Sequence, residues 1–276
     1  MDTSTVGTIF DAGAQEFAAW SQRLWDPIGS ATVAESAPAP GEQILDACCG
    51  AGASALPAAR AVQPRGSVVG VDLSSALVAQ GRQRAQRAGV ANLRFVVDDV
   101  CTWPEAGRYD LVQVVHGVAF FDDMDAGTTA LIRAARPGGR LAVTVWADGA
   151  LQEFLTVFSA AIAAETGQPP EPPGYTQARE RIADAQRLRS WLERLGLVDV
   201  RVRRHDHTLP LDPDAAWEFV LGNAARGMLT GLDDAAQERV RAHLGTLMRE
   251  RGVNQLNAAF HIAVGRVPAE ATAQPT

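Results

Sequence analysis

The chain is poor in the features that would mark several common classes of protein. Its 276 residues hold three cysteines, and two of them, Cys48 and Cys49, are adjacent. Three cysteines so placed cannot build a disulfide framework and suit a reducing compartment. No apolar run approaches the length of a membrane span, which argues against a membrane partner. Met1 to Phe10 has neither a basic start nor a long apolar core, so no secretory signal is expected and a cytoplasmic location is. There is no excess of basic charge: 25 Lys and Arg face 32 Asp and Glu, a formal net charge of −7. That balance argues against a nucleic-acid partner, which would want a basic face. No internal repeat is visible. What remains is ordinary globular composition, 47% hydrophobic and 21% charged. It allows a sizeable core and one large α/β domain with a cap, or two small domains.

The informative stretch runs Gln43-Ile44-Leu45-Asp46-Ala47-Cys48-Cys49-Gly50-Ala51-Gly52-Ala53-Ser54. An apolar run ends at an acid, and a small-residue turn opens a helical pattern, as at the front edge of a βαβ nucleotide site. Gly50 and Gly52 allow a sharp turn and close approach of a ligand to the main chain. Two ligands fit. Gly50 to Ala55 satisfies G-x-G-x-x-A, with Asp72 twenty residues after Gly52, which would suit a dinucleotide. S-adenosylmethionine fits as well, because its ammonium and sulfonium want carbonyls and carboxylates rather than a helix dipole. The turn alone leaves both open.

Taken in order, Thr8 to Trp25 reads as one amphipathic helix with Phe10, Phe17, Trp20 and Leu24 on one face, stopped by Asp26-Pro27. Strands are expected at Gln43 to Asp46, Val68 to Asp72, Leu93 to Val97, Tyr109 to Val115 and Leu141 to Trp146. Helices are expected between them at Ser54 to Val62, Ala76 to Ala88 and Met124 to Arg136. Near-continuous apolar strands alternating with helices mean a parallel sheet covered on both faces. After Trp146 the pattern loosens. Helices are expected at Leu151 to Glu165, Ala183 to Leu195, Pro213 to Leu221 and Asp233 to Arg251, with late strands at Val198 to Val202 and Ala259 to Val267. The expected organisation is a helical lid and linker at 1–41 and a cofactor domain at 42–267. The domain would carry cap insertions at about 148–182 and 212–252, and a flexible tail would follow at 268–276.

Asp46, Gly50 and Gly52, Asp72, Asp99, Tyr109-Asp110 and Arg136-Pro137-Gly138-Gly139 occur in one order. This set resembles the class I S-adenosylmethionine-dependent methyltransferases, in particular the ubiquinone/menaquinone-biosynthesis-like group and its natural-product relatives. The resemblance covers about Glu42 to Ala147. It implies a doubly wound, mostly parallel seven-stranded sheet, an α/β Rossmann-like fold with helical cap insertions. It also implies S-adenosyl-L-methionine as cofactor and S-adenosyl-L-homocysteine as product. No metal is expected, because nothing near the cysteines supplies further ligands at the usual spacing. By the same resemblance Asp46, Cys48, Gly50 and Gly52 would hold the methionine moiety, Asp72 with Leu73 the ribose, and Asp99 with Val100 the adenine. Val115, His116 and Gly117 would line the transfer point. Where Cys48 stands the family usually has glycine; Cys48 and Cys49 read as small packing residues.

The sulfonium methyl is already activated, so such a protein must align a nucleophile, exclude water and remove any proton the nucleophile carries. His116 is the candidate base, because an unperturbed imidazole titrates near 6.5. His205 and His207 flank Asp206 in a stretch read as a solvated loop, and His243 and His261 are read as structural. The variable segments offer Phe17, Trp20, Trp25, Trp146, Tyr175, Phe154, Trp217 and Met228. An aromatic cap suggests a small-molecule acceptor that is medium-sized and fairly hydrophobic, with oxygen favoured over carbon. The assembly state, homodimer included, stays open. So do two other functions, a nicotinamide-dependent oxidoreductase and a cofactor-bound cyclase or binding protein on the same fold.

Overall fold

The computed structural model describes residues 3–269. Its strands are β1 (Gln43–Ala47), β2 (Ser67–Asp72), β3 (Leu93–Val97), β4 (Tyr109–Val115), β5 (Ala135–Trp146), β6 (Val198–His205), β7 (Thr208–Pro210), β8 (Gln255–Asn257) and β9 (Phe260–Arg266). Seven of them form one sheet in the order β3-β2-β1-β4-β5-β9-β6. The pairs from β3 to β5 are parallel, and β9 runs antiparallel between β5 and β6. β7 and β8 pair apart from this sheet. The strand order reverses at β1, between β2 and β4, so the crevice beyond the carboxyl ends of these strands is where an open α/β sheet binds its ligand.

Each face of the sheet has its own core. Successive strand residues point to opposite faces. Ile44, Val68 and Leu111 therefore join one buried cluster, while Leu45, Val71 and Val112 join the other. The helices are α1 (Thr3–Ala12), α2 (Ala14–Ala19), α3 (Asp26–Ser36), α4 (Ala55–Ala61), α5 (Ser75–Arg87), α6 (Met124–Ala134), α7 (Gln152–Thr166), α8 (Tyr175–Arg181), α9 (Ala185–Arg194), α10 (Pro213–Leu221) and α11 (Asp234–Arg251). α3, α4, α7, α10 and α11 bury side chains in the first core, including Ile28, Leu56, Phe158, Phe219 and Leu244. α6 and α9 fill the second with Leu131, Leu188 and Trp191. Among the described residues no helix is long and apolar enough to cross a membrane.

The N-terminal helix expected over Thr8 to Trp25 is in fact three pieces, α1, α2 and a π turn. It breaks at Gly13, where an added Cβ would lie 2.2 Å from the Leu221 carbonyl oxygen; the end of α10 presses on the backbone there. It then widens into a π turn, Ser21–Trp25, with Trp25 N donating to Trp20 O at 3.4 Å. Asp26-Pro27 opens α3 instead of ending a helix. A proline in the first turn has no backbone N–H to lose, so the stop signal read from the sequence is a start signal here. The region 3–36 is also bound firmly to the sheet's own helices. Asp11 accepts from Ser74 Oγ at 2.5 Å and from Ala76 N at 2.9 Å at the start of α5, and Arg84 pairs with Asp26 at 2.7 Å.

Other differences are local. β5 begins at Ala135 and runs through Pro137-Gly138-Gly139, with a register shift against β4. α8 and the β7–β8 ribbon carry no sequence signal, being seven and three residues long and held by packing against other segments. Most of the expected tail, 270–276, lies outside the described residues.

Candidate active site

A deep cleft opens at the carboxyl ends of β1 to β5, roofed by α1, the π turn, α8 and the segment 219–225. Asp72 ends β2 inside it. Its Oδ2 accepts from Gly50 N and its Oδ1 from Ser74 N, both at 2.8 Å, so two backbone amides fix the carboxylate. Burial pushes its pKa up while those amides hold it down. Gly50 at φ +51° supplies the turn that brings its amide there. Asp99 follows β3 and caps the short helical turn Val100–Thr102, accepting from Cys101 N at 2.9 Å. Asp98, Leu73, Val100, Val115 and Cys49 complete this end of the lining.

Cys48 also lines the cleft, in a left-handed conformation at φ +53°. That explains why glycine suits this position, since a side chain there costs on the order of 1–2 kcal/mol. The loop can approach β4 because Gly117 faces it: a Cβ on Gly117 would stand 2.6 Å from Cys48 Sγ. All three cysteines are free thiols, and burial raises the pKa of Cys48 and Cys49 well above the usual value. Cys48, His116 and Leu151 are three of the five non-glycine residues at positive φ among the described residues, and all three line the cleft. Strain of this kind persists where surrounding structure holds it, and clusters at functional sites.

Three expected site residues are not in the lining. Asp46 is fully buried behind the glycine turn, where Ser54 Oγ donates to both its oxygens at 3.0 and 2.8 Å. Desolvation raises its pKa to about 7, with Ser54 and Gln113 lowering it in part. Its work is to hold β1 to the start of α4, so direct contact with a ligand is corrected to support of the turn. Gly52, at φ +84°, makes room for the Phe95 ring, 2.7 Å from where its Cβ would sit. Trp20 is 1% exposed and belongs to the core, tilted against Phe219 at 4.9 Å with Arg23 stacked over its ring at 3.6 Å. The π turn sends Trp20 and Trp25 in different directions, which helical periodicity could not foresee.

The β4–β5 end of the cleft is aromatic. Phe17 stacks on Trp25 at 4.9 Å, Trp25 meets Trp146 at 6.2 Å, and Trp146 stacks on His116 at 3.9 Å. Phe120, whose position after Val115-His116-Gly117 could have flagged it, contacts both Phe10 and Tyr175. Phe154 and Trp217 are core residues, and Met228 packs against the same core. His205 stacks on Phe260, His207 bonds the Arg23 carbonyl, and His261 is buried on β9; none of them reaches the cleft.

His116 is at φ +55°, and both ring nitrogens are buried without a hydrogen-bond partner among the described residues. Desolvation, aided by the positive charge of Arg179, lowers its pKa to about 3. The near-neutral titration expected of it therefore does not hold, because the ring sits in an apolar, positively biased place. Arg179 and Asn223 were missed; neither lies in a motif, and only the folding of α8 and of segment 219–225 over the cleft brings them in.

A seven-stranded sheet with one antiparallel strand, and acids at the ends of β2 and β3, defines a Rossmann-like nucleoside-binding protein. Comparisons refine this. A family model described as a methyltransferase domain matches residues 44–139. The demethylmenaquinone methyltransferase of Beutenbergia cavernae is 31% identical over 188 residues, covering 64% of this chain and 69% of that one. The aklanonic acid methyltransferase DauC of Streptomyces sp. strain C5 is 31% identical over 141 residues; the match covers 50% of this chain and 64% of that relative, under two thirds of its length. The crystal structure of the [4+2]-cyclase SpnF shares the fold, with a TM-score of 0.61 at 18% identity, covering 97% of this chain and 96% of that one. The chain belongs to the class I S-adenosylmethionine-dependent methyltransferases, in the group that includes the menaquinone-pathway enzymes.

Proposed function

We propose that the protein transfers a methyl group from S-adenosylmethionine to a small, fairly hydrophobic acceptor in specialised metabolism, with oxygen favoured as the acceptor atom. The observation that carries this reading is one continuous cleft with two chemistries: carboxylates at the β2–β3 end and aromatic rings at the β4–β5 end. The residues present fit the cofactor. Asp72 and Asp99 keep acceptor capacity for hydroxyl and amine donors, and aromatic faces such as Phe17 and Trp25 favour a neighbouring cation. They do not fit a dinucleotide. The start of α4, where a pyrophosphate would dock, already faces the buried Asp46 carboxyl, and Asp72, Asp98 and Asp99 would repel it.

When bound, the cofactor supplies an activated methyl group. Asp72, Asp99 and the Gly50 turn hold the nucleoside. Phe17, Trp25, Trp146 and Tyr175 exclude water and sandwich the acceptor. His116, neutral across the physiological range, orients the acceptor through a ring nitrogen and is a poor proton sink. Calorimetric titration with S-adenosylhomocysteine and with NADH tests the cofactor: micromolar binding of the first alone is expected, and tight NADH binding would overturn the assignment. A transfer screen over phenols, quinols, carboxylic acids and amines then follows S-adenosylhomocysteine release and a gain of one methylene. Turnover of an acceptor without S-adenosylhomocysteine release would point instead to a cyclase-type use of the same fold.

A further inference from the structure

We infer that the acceptor is an organic acid, and that Arg179 binds its carboxylate beside His116 at the aromatic end of the cleft. The inference rests on the methyl-transfer reading of this cleft and names the chemical class of its acceptor.

Arg179 lies on α8 and lines the cleft together with Tyr175 and Ile182. Its guanidinium donates to the Ala150 carbonyl, and no carboxylate among the described residues lies within salt-bridge distance of it. Arg181, two residues on and therefore on the opposite side of α8, pairs instead with Asp125 at 2.9 Å. The acids of the cleft do not serve Arg179 either. Asp72 and Asp99 sit at the ends of β2 and β3, whereas His116 and Trp146 sit at the ends of β4 and β5. At about 4.8 Å per strand spacing, Asp72 and Trp146 are separated by roughly 14 Å of sheet.

A guanidinium stays protonated at any physiological pH, and taking it from water without an anion is costly. Burial indeed works against its charged form more than the neighbouring Tyr175 and Glu180 favour it, and its field reaches His116. The surroundings that would receive an anion's carbon skeleton are flat and apolar: Phe120 against Tyr175 at 5.1 Å and Trp146 against His116 at 3.9 Å. Arg179 is therefore a planar, two-pronged donor set in an aromatic slot, the arrangement that recognises an aryl or polyene carboxylate. A fork of parallel N–H donors matches a carboxylate and not a neutral amide or ester.

Matched probes test this in the full chain: 2-naphthoate and 2-naphthamide, titrated with and without S-adenosylhomocysteine and read by quenching of tryptophan fluorescence. The naphthoate is expected to bind at least tenfold tighter than the amide. Arg179→Gln should abolish that preference, and Arg179→Lys should retain part of it. Equal binding of acid and amide, failure of both to bind at millimolar concentration, or an acid preference that persists in Arg179→Gln overturns the proposal. The acid-to-amide ratio in the unaltered chain stands whether or not a variant folds. Failure of the methyl-transfer reading shows separately, as absence of S-adenosylhomocysteine binding in the same titrations.

Discussion

At the β2–β3 end of the cleft, every functional group is carried by a strand terminus or by the loop that follows it. Asp72 and Asp99 come from adjacent parallel strands, and backbone amides two residues on in each chain segment hold their carboxylates. At the β4–β5 end, the walls come from α1, α2, the π turn, the loop after β4, the end of β5 and α8, segments far apart in sequence. The first end is stiff because the sheet's hydrogen bonds fix it. The second is assembled chiefly by side-chain packing between distant segments, ring on ring from Phe10 through Phe17 and Trp25 to Trp146 and His116. The difference matches the two tasks. On the proposed reading one end holds the nucleoside, whose shape is fixed, and the other holds the acceptor, the part a fold varies by changing its loops.

Four experiments can break or sharpen this contrast. The largest effect is expected from Asp72→Asn, which keeps the shape and removes the charge. S-adenosylhomocysteine should bind on the order of 100-fold more weakly by calorimetry, about 2.7 kcal/mol, while 2-naphthoate binding stays within a few-fold. Equal losses at both ends would mean that the cleft does not divide as described. Next, Gly117→Ala should cost about 1–3 kcal/mol of unfolding free energy by overpacking against Cys48. Adding Cys48→Gly should restore part of it, since that change removes the clashing side chain and a left-handed Cβ but leaves Val114 Cγ2 at 2.8 Å. A double variant no better than the single one would refute the contact.

Asp46 gives a pH-dependent effect. Its folded pKa of about 7 lies above the ordinary aspartate value of 3.8, so the native state binds more protons than the unfolded one between those values. Its ionisation therefore costs no stability below pH 3.8, and stability falls as pH rises from there to about 7, at up to about 1.4 kcal/mol per pH unit, with no further loss above it. Asp46→Asn should flatten that slope, with the melting-temperature advantage of the variant growing from pH 5 to pH 7. A gap that stays constant over this range would count against the raised pKa. Smallest is His116→Gln. With the imidazole pKa near 3, the rate profile of the unaltered enzyme should show no step near pH 6.5, and turnover of the variant should fall by less than about tenfold. A loss of 10²-fold or more with a step near neutrality would restore His116 as a general base.

The strand-end half of this site was legible in the chain because it is written locally. Asp72 and Asp99 close apolar runs, and Gly50 follows an earlier one, Gln43 to Asp46, within a few residues. The sheet and its helices were equally legible, since continuous apolar strands between amphipathic helices allow few topologies. Tertiary structure decided the rest. It withdrew Asp46 behind the glycine turn and Trp20 into the core, and a π turn of five residues separated Trp20 from Trp25. It also drew Arg179 over the cleft on a seven-residue helix that has no periodicity of its own. The physical reason is that strand ends are positioned by backbone hydrogen bonds between neighbours, which a sequence pattern encodes. A cap is positioned by which apolar faces bury against each other across long stretches of chain, which a single sequence does not state.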